Sequence, residues 1–299
     1  MSDSLTPGYR AGVVVIAGRP NVGKSTLINR LVGAKLSITS RKAQTTRHRI
    51  LGVRSDPEAQ FVFVDTPGHQ PRVRSALNRA MQRNLTDSVA GADVALLVAE
   101  AQSFRPTDAQ VAAMLARQLP VVLALNKCDL RSNRAGLLPV MAAARDAHDF
   151  AAIVPISAKT GEGVDALLAE LRERLPQSDR LYDEDTLTDR PARFFAAELI
   201  REKVFRLSGA EVPYGVEVAI ERYVEEDGLT RIGATIVVDR PGHKAILLGA
   251  KGERMKRISS EARIDMEKMF RKKVYLETWI KVRGGWADNA ATLRSLGYA

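Results

Sequence analysis

The sequence predicts an α/β domain, built on an open and mostly parallel sheet with helices on both faces, followed by a smaller α+β domain. Three observations carry that prediction. Five short apolar runs alternate with helix-compatible segments between residues 11 and 175. The rhythm stops at Pro176, where "PQSDRLYDEDTLTDRP" (176–191) is polar, acidic and bracketed by prolines. Helical and strictly alternating segments then follow in a different order. A chain of 299 residues is long enough for two domains with separate cores. The expected boundaries are 10–178 for the first domain, 179–191 for an interdomain linker, 192–285 for the second domain and 286–299 for a tail.

In the first domain the apolar runs are "GVVVIAG" (12–18), "FVFVDTPG" (61–68), "VALLVAE" (94–100), "VVLALNKCD" (121–129) and "IVPISA" (153–158). Their unbroken hydrophobicity suits strands buried on both faces. Stretches such as "STLINRLVG" and "GVDALLAELRERL" have helical spacing. Polar motifs follow four of the five runs, and in open parallel sheets ligands bind at the carboxyl ends of the strands.

"GRPNVGKS" (18–25) fits the phosphate-loop pattern between a strand and a helix. Gly18 and Gly23 let backbone N–H groups turn toward phosphates, with Arg19, Pro20, Asn21 and Val22 forming the loop between them. Lys24 supplies charge for the β- and γ-phosphates, the Ser25 hydroxyl suits Mg²⁺, and Thr26 continues into a helix whose N-terminus favours anions. In "DTPG" (65–68), Asp65 is placed to organise Mg²⁺ through a water, and Gly68 can offer its N–H to a γ-phosphate across Thr66 and Pro67. "NKCD" (126–129) points to guanine: Asp129 can accept from both N1–H and the exocyclic amine, a donor pair adenine lacks. Asn126 can bond the other edge of the base, the Lys127 stem can pack over its face, and Cys128 lies between them. "ISA" (156–158) offers the Ala158 N–H to the guanine oxygen, flanked by Ser157 and Lys159.

These motifs resemble those of the translation-factor-related GTPases, and "SITSRKAQTTRHRI" (37–50) is similar to the first switch of the Era-type ribosome-assembly GTPases. The resemblance implies hydrolysis of GTP to GDP with Mg²⁺, through Lys24, Asp65, Gly68 and a switch threonine, Thr46, which closes over the metal. Thr45 is the alternative. Asn21 matches an asparagine that helps hold K⁺ in related GTPases; the alternative is simple loop stabilisation. His69 departs from the apolar residue usual after this motif. A neutral imidazole there could position the attacking water, or it could be an exposed switch residue with no catalytic part.

In the second domain, "ARFFAAELIREKVFRL" (192–207) is helical, with Phe195, Leu199 and Ile200 on one side. "GVEVAIERYVEE" (215–226) and "TRIGATIVVDR" (230–240) alternate as strands. A glycine turn, "GAKG" (249–252), is expected between the second strand and a helix carrying Met255, Ile258, Ala262, Met266 and Met269. "KVYLETWIKV" (273–282) closes the domain as a strand. With 21 glycines in the chain, the bare turn means little. Its surroundings give it weight: Lys244, Lys251, Arg254, Lys256 and Arg257 cluster about it.

That arrangement resembles a KH domain of type II. There such a turn lets the backbone of about four single-stranded nucleotides approach closely, while the bases lie in an apolar groove. The implied RNA contacts are Gly249, Ala250, Lys251 and Gly252 with Lys244, Arg254, Lys256 and Arg257.

Charge and composition agree with this setting. The formal net charge is +10. Residues 181–239 hold 7 Lys/Arg against 13 Asp/Glu, whereas 240–283 hold 13 against 5. A basic block of this kind suits a polyanion, or else is a solvated face that binds nothing. No stretch approaches the ~18 apolar residues of a membrane span. The N-terminal "MSDSLTPGYR" is not organised as a signal peptide, and Cys128 is a single cysteine, which suits the cytoplasm.

The resemblance extends through 281–299 and implies a switch acting on 16S rRNA near its 3′ end and on the 30S subunit. It further implies a monomer, with at most weak peripheral association with the inner membrane. Two rivals are a constitutive RNA-binding protein with a structural nucleotide site and a membrane-associated signalling GTPase. No lipidation motif or basic amphipathic helix supports stable anchoring.

Overall fold

The computed structural model describes residues 8–39, 47–66, 76–77, 87–115, 117, 119–131, 133–209 and 212–295. The chain divides into two compact units. One includes the chain up to Ser37 and ends at Asp189; the other gathers Arg190–Ala299 and takes in Ile38 and Thr39.

The first unit is built on strands β1 (Arg10–Ala17), β2 (Ile50–Ser55), β3 (Ala59–Asp65), β4 (Val94–Glu100), β5 (Val121–Asn126) and β6 (Ala152–Pro155). Their spatial order is β2-β3-β1-β4-β5-β6. All neighbours pair in parallel except β2 and β3. Helices α1 (Lys24–Val32), α2 (Pro106–Leu115), α3 (Leu137–Ala147) and α4 (Val164–Arg174) cover both faces. On one face Leu27, Ile28 and Leu31 of α1 and Leu167 and Leu171 of α4 pack on Val14, Ile16, Phe61, Phe63 and Leu96. On the other, Val111 and Leu115 of α2 and Val140 and Ala144 of α3 pack on Val15, Leu97, Leu123 and Leu125. Successive strand residues point to opposite faces, and both faces are apolar, which is why the runs show no alternation.

Strand β2 was not anticipated. "ILGVRS" is short and ends in polar residues, and its order comes from β3, which it meets in register from Ile50↔Asp65 to Ser55↔Gln60. The polar stretch expected as a linker is largely fastened to this hairpin. The buried Gln60 accepts from the Leu181 and Tyr182 N–H groups at 2.7 and 2.9 Å and donates to the Tyr182 carbonyl at 2.8 Å. The Val53 N–H donates to the Leu187 carbonyl at 2.9 Å, and the Thr188 hydroxyl to the Leu51 carbonyl at 2.6 Å. The exposed edge of β2 is thereby covered.

The second unit contains α5 (Ala192–Leu207), β7 (Val216–Glu226), β8 (Leu229–Val238), α6 (Pro241–Leu248), α7 (Glu253–Phe270), β9 (Lys273–Val282) and α8 (Ala290–Ser295). The sheet order is β7-β8-β9, with β7 antiparallel and β9 parallel to β8. A parallel β8–β9 pair needs a long crossover, which α6, the glycine turn and α7 supply. Leu199, Ile200 and Val204 of α5 and Met255, Ile258, Ala262 and Met266 of α7 pack on Ile232, Ala234, Ile236 and Val238. Phe195 is also buried, and Met269 partly so.

Two features depart from expectation. A helix, α6, stands between β8 and the glycine turn, where a strand was expected to lead straight in. Pro241 explains it, because proline at the first helical position has its φ already set and lacks only an N–H that would have no partner. Helix α5 also buries charge. Arg201 forks onto Glu198 at 2.6 and 2.8 Å, Lys203 donates to Asp265 at 2.6 Å, and Glu202 accepts from the Thr39 N–H at 3.1 Å. Among the described residues no helix is long and apolar enough to cross a membrane.

Candidate nucleotide site and basic glycine turn

The phosphate loop joins β1 to α1. Gly18 and Gly23 hold φ values of +143° and +105°. A Cβ on Gly18 would lie 2.3 Å from the Val98 carbonyl oxygen, and one on Gly23 would lie 2.3 Å from Asn126 Nδ2. Glycine is therefore required twice over, by conformation and by space. Helix α1 starts at Lys24 with Gly23 at its N-cap, where there is no side chain to cap it, and the partial positive charge of the helix N-terminus faces the loop.

The buried Lys24 ammonium donates to the Gly18 and Arg19 carbonyls, both at 2.9 Å. Burial lowers its pKa to about 8; the Asp65 charge opposes the shift and the Arg19 charge adds to it. A buried cation resting on two carbonyls, beside a helix N-terminus, is a seat for an anion. Arg19 itself is drawn aside, donating to the fully buried Asp108 at 2.6 Å. The other Asp108 oxygen accepts the Arg105 N–H at 2.9 Å, tying the loop to the start of α2.

Asp65 ends β3, where Ile16 of β1 is its register partner, and is fully buried. Its Oδ2 accepts from the Ser37 hydroxyl at 2.9 Å. Thr66 donates its hydroxyl to the Ile16 carbonyl at 2.7 Å. Ser25 and Asp65 are hard oxygen donors on adjoining elements, and Asp65 is near enough for its charge to act on Lys24. Among the described residues no group of three or more His, Cys, Asp or Glu could hold a metal. Mg²⁺ at a nucleotide needs none, since one or two protein oxygens, phosphates and waters complete its shell. The donor set fits that ion. Thr45, Thr46, Pro67, Gly68 and His69 lie outside the described residues.

At the base end, Asn126 closes β5. Its Nδ2 donates to the Val22 carbonyl at 2.8 Å and its Oδ1 accepts the Ala158 N–H at 2.9 Å. Two groups that the sequence assigned separately to the base thus meet each other, and Asn126 fastens the phosphate loop to the 156–159 loop. Lys127 and Asn21 both adopt left-handed conformations, with φ of 69° and 65°. The Lys127 ammonium donates to the Asn21 carbonyl at 2.7 Å and pairs with Glu100. Asp129 accepts from the Ser157 hydroxyl at 2.7 Å, which fixes the carboxylate. Cys128 packs against the core beneath α2 and α3. Arg30 grips the far wall, donating to the Lys159 and Ala158 carbonyls at 2.6 and 3.3 Å. Arg30, Glu100 and Asp108 were missed from sequence, since each serves the site from outside its motifs.

In the second unit, Gly249 (φ +70°), Lys251 (φ +50°) and Gly252 (φ +81°) turn the chain between α6 and α7. A Cβ on Gly249 would lie 2.8 Å from Arg254 Cβ, whereas one on Gly252 would meet nothing within 4 Å. Lys244, Ala250, Lys251, Arg254, Lys256 and Arg257 are all exposed. Arg254 folds back to donate to the Ile246 carbonyl, and Arg257 pairs with Glu261 at 2.8 Å. Ile246 and Leu248, in the helix that leads into the basic turn, are also exposed.

Comparison with known proteins places both units. The family described as 50S ribosome-binding GTPase matches residues 13–127, and the KH domain family matches residues 211–287. GTPase Era of Nitrosomonas eutropha is 52% identical over 291 residues, covering 97% of this chain and 98% of that protein. GTPase Era of Bordetella avium is 51% identical, with 97% and 98% covered. A crystal structure of Era with MgGDPNP and nucleotides 1506–1542 of 16S ribosomal RNA superposes with a TM-score of 0.94 at 39% identity, covering 97% of this chain and 99% of that one. A variant of Aquifex aeolicus Era bound to GDP and aluminium fluoride gives 0.93 at 38% identity, with the same coverage. With a GTPase-family model matching the first unit, a KH-family model the second, and relatives about half identical along nearly the whole length of both chains, the chain belongs to the Era family of GTPases.

Proposed function

We propose that GTP binding and hydrolysis in the first unit control RNA capture at the glycine turn of the second, and that the RNA is the 3′ region of 16S rRNA in the maturing 30S subunit. The observation that carries this is the pairing, in one chain, of a nucleotide site with an exposed basic turn whose Gly249 excludes any side chain. The 16S fragment bound by the Era neighbour supports the choice of RNA.

The triphosphate enters the 18–25 loop, and Lys24 exchanges two carbonyls for β- and γ-phosphate oxygens, a stronger charge-assisted contact. Ser25, Thr46 and, through a water, Asp65 would hold Mg²⁺, which would supply neutralising charge to the phosphates. Asp129, fixed by Ser157, reads the guanine N1–H and amine. Asn126 sets the separation of the phosphate and base walls, which is positioning, the main source of rate in phosphoryl transfer. Thr46 and Gly68 sense the γ-phosphate. His69 and a K⁺ ion beside Asn21 are the candidates for aligning water and neutralising charge. At the turn, Lys244, Lys251 and Lys256 draw in the phosphate backbone, and Ile246 and Leu248 receive bases.

The protein works as a cytoplasmic monomer, with membrane contact peripheral and weak. The decisive measurement is the affinity of a 3′-terminal 16S oligonucleotide with a GTP analogue and with GDP. A different affinity is expected, because a ligand shifts an equilibrium only by its differential affinity. Equal affinities would refute the coupling. Crosslinking in cells should recover 16S rRNA; a spread over unrelated messages would refute the ribosomal assignment.

A further inference from the structure

The loop after α1 is clasped by one side chain. Asn29 Oδ1 accepts the Leu36 and Ser37 N–H groups at 2.9 and 2.8 Å, and its Nδ2 donates to the Ser37 carbonyl at 2.7 Å. Three bonds to two consecutive residues leave the Ser37 backbone no freedom to turn. Ser37 is fully buried, and its hydroxyl donates to Asp65 Oδ2 at 2.9 Å. Asp65 is fully buried as well. The compact unit is left at the next residue, since Ile38 groups with the second unit. Ser37 is thus fixed at the very start of the first-switch stretch, and its hydroxyl is bonded to the Asp65 carboxylate.

We propose that Ser37, held by Asn29, is a positioning residue for Asp65: its hydroxyl fixes the carboxylate in the orientation that organises Mg²⁺ and so sets how strongly Mg²⁺ retains nucleotide. A buried carboxylate must be both paired and aimed, and a short donor from a rigid backbone does both. None of the phosphate-loop, DTPG or NKCD motifs contains Asn29 or Ser37. The inference rests on Asp65 being the metal-organising group, so the experiment tests that separately.

The readout is the rate of release of a fluorescent GDP analogue in chelator divided by its rate in Mg²⁺. Asp65→Asn should collapse the ratio; if it does not, Asp65 is not the metal-organising group. Ser37→Ala should lower the ratio about tenfold by speeding release in Mg²⁺ with little change in chelator, the effect of one charge-assisted hydrogen bond. Ser37→Cys keeps the volume with a weaker donor and should fall between wild type and alanine. Asn29→Ala should lower the ratio in the wild-type background and scarcely at all in the Ser37→Ala background. Were Ser37→Ala to change release equally in both conditions, or to leave the ratio intact while Asp65→Asn collapsed it, the positioning role would be overturned. An Asn29 effect undiminished by Ser37→Ala would overturn the clasp.

Discussion

Replacing Asn126 with alanine removes two hydrogen bonds whose partners cannot turn to water. Val22 and Ala158 are 0% and 2% exposed, and the bonds to their backbone groups measure 2.8 and 2.9 Å. A buried backbone group left without its partner costs about 1–3 kcal/mol, so the pair should cost about 2–6 kcal/mol in nucleotide-free protein. Against a total stability of about 5–15 kcal/mol, that is a large downward shift of the urea midpoint at unchanged slope. Tryptophan fluorescence would miss it, because both tryptophans, Trp279 and Trp286, lie in the second unit. Pulse proteolysis or far-UV circular dichroism reads the first unit. GDP affinity, measured on the same variant in conditions where it remains folded, should fall as well. Asn126→Asp keeps the acceptor for Ala158 but sets a carboxylate oxygen against the Val22 carbonyl, so it should be no better than alanine. An unchanged midpoint together with a loss of GDP affinity would refute the reasoning, since the side chain would then act on the base alone and not as a fastener.

Asp129→Asn should move preference from GTP toward xanthosine triphosphate, because the amide replaces an acceptor with a donor; unchanged selectivity in competition binding would remove Asp129 from the base site. Gly249→Ala should destabilise the second unit more than Gly252→Ala, which bears only the left-handed penalty of about 1–2 kcal/mol. Alanine at 249 adds a 2.8 Å contact with Arg254 Cβ in a conformation that is essentially glycine-only. Tryptophan-monitored melting separates the two. Lys24→Met should stabilise the nucleotide-free protein at pH 7 by up to about 3 kcal/mol, the worth of a pKa lowered from 10.5 to about 8. Because the unfolded wild type binds the extra proton between about pH 8 and 10.5, its stability rises through that window and the gap should close. A gap constant with pH would mean that burial of the charge is not its cause.

The first unit was legible where chemistry forces sequence. A phosphate loop needs glycines at 18 and 23 for conformation and clearance, and unbroken apolar strands need two covered faces. The second unit was legible in its alternating strands and in the methionine face of α7. What escaped has no local signature. Strand β2 exists because β3 lies beside it. Helix α6 was hidden by reading one strand through to the turn, although Pro241 marked its start. The linker's ties run through Gln60, more than a hundred residues away in the chain. Asn126 shows the same limit inside a motif. Its spacing identified the site, but only the fold shows that its amide spans two loops.

Lys251 carries a consequence for engineering. It is the one residue of "GAKG" with a bulky side chain in the left-handed region, at φ 50° and ψ 23°, between two glycines that occupy positive φ at no steric cost. Lys251→Gly should therefore stabilise the second unit, by about 1 kcal/mol if most of the strain is relieved, and so raise its melting point, while weakening RNA binding with a shallower salt dependence. The turn is then less stable than a nearby sequence would make it, in exchange for a cation at its apex. Selection for thermostability alone would tend to erase that lysine, and screening such variants for heat resistance without an RNA assay would favour proteins stripped of the cation proposed to meet RNA.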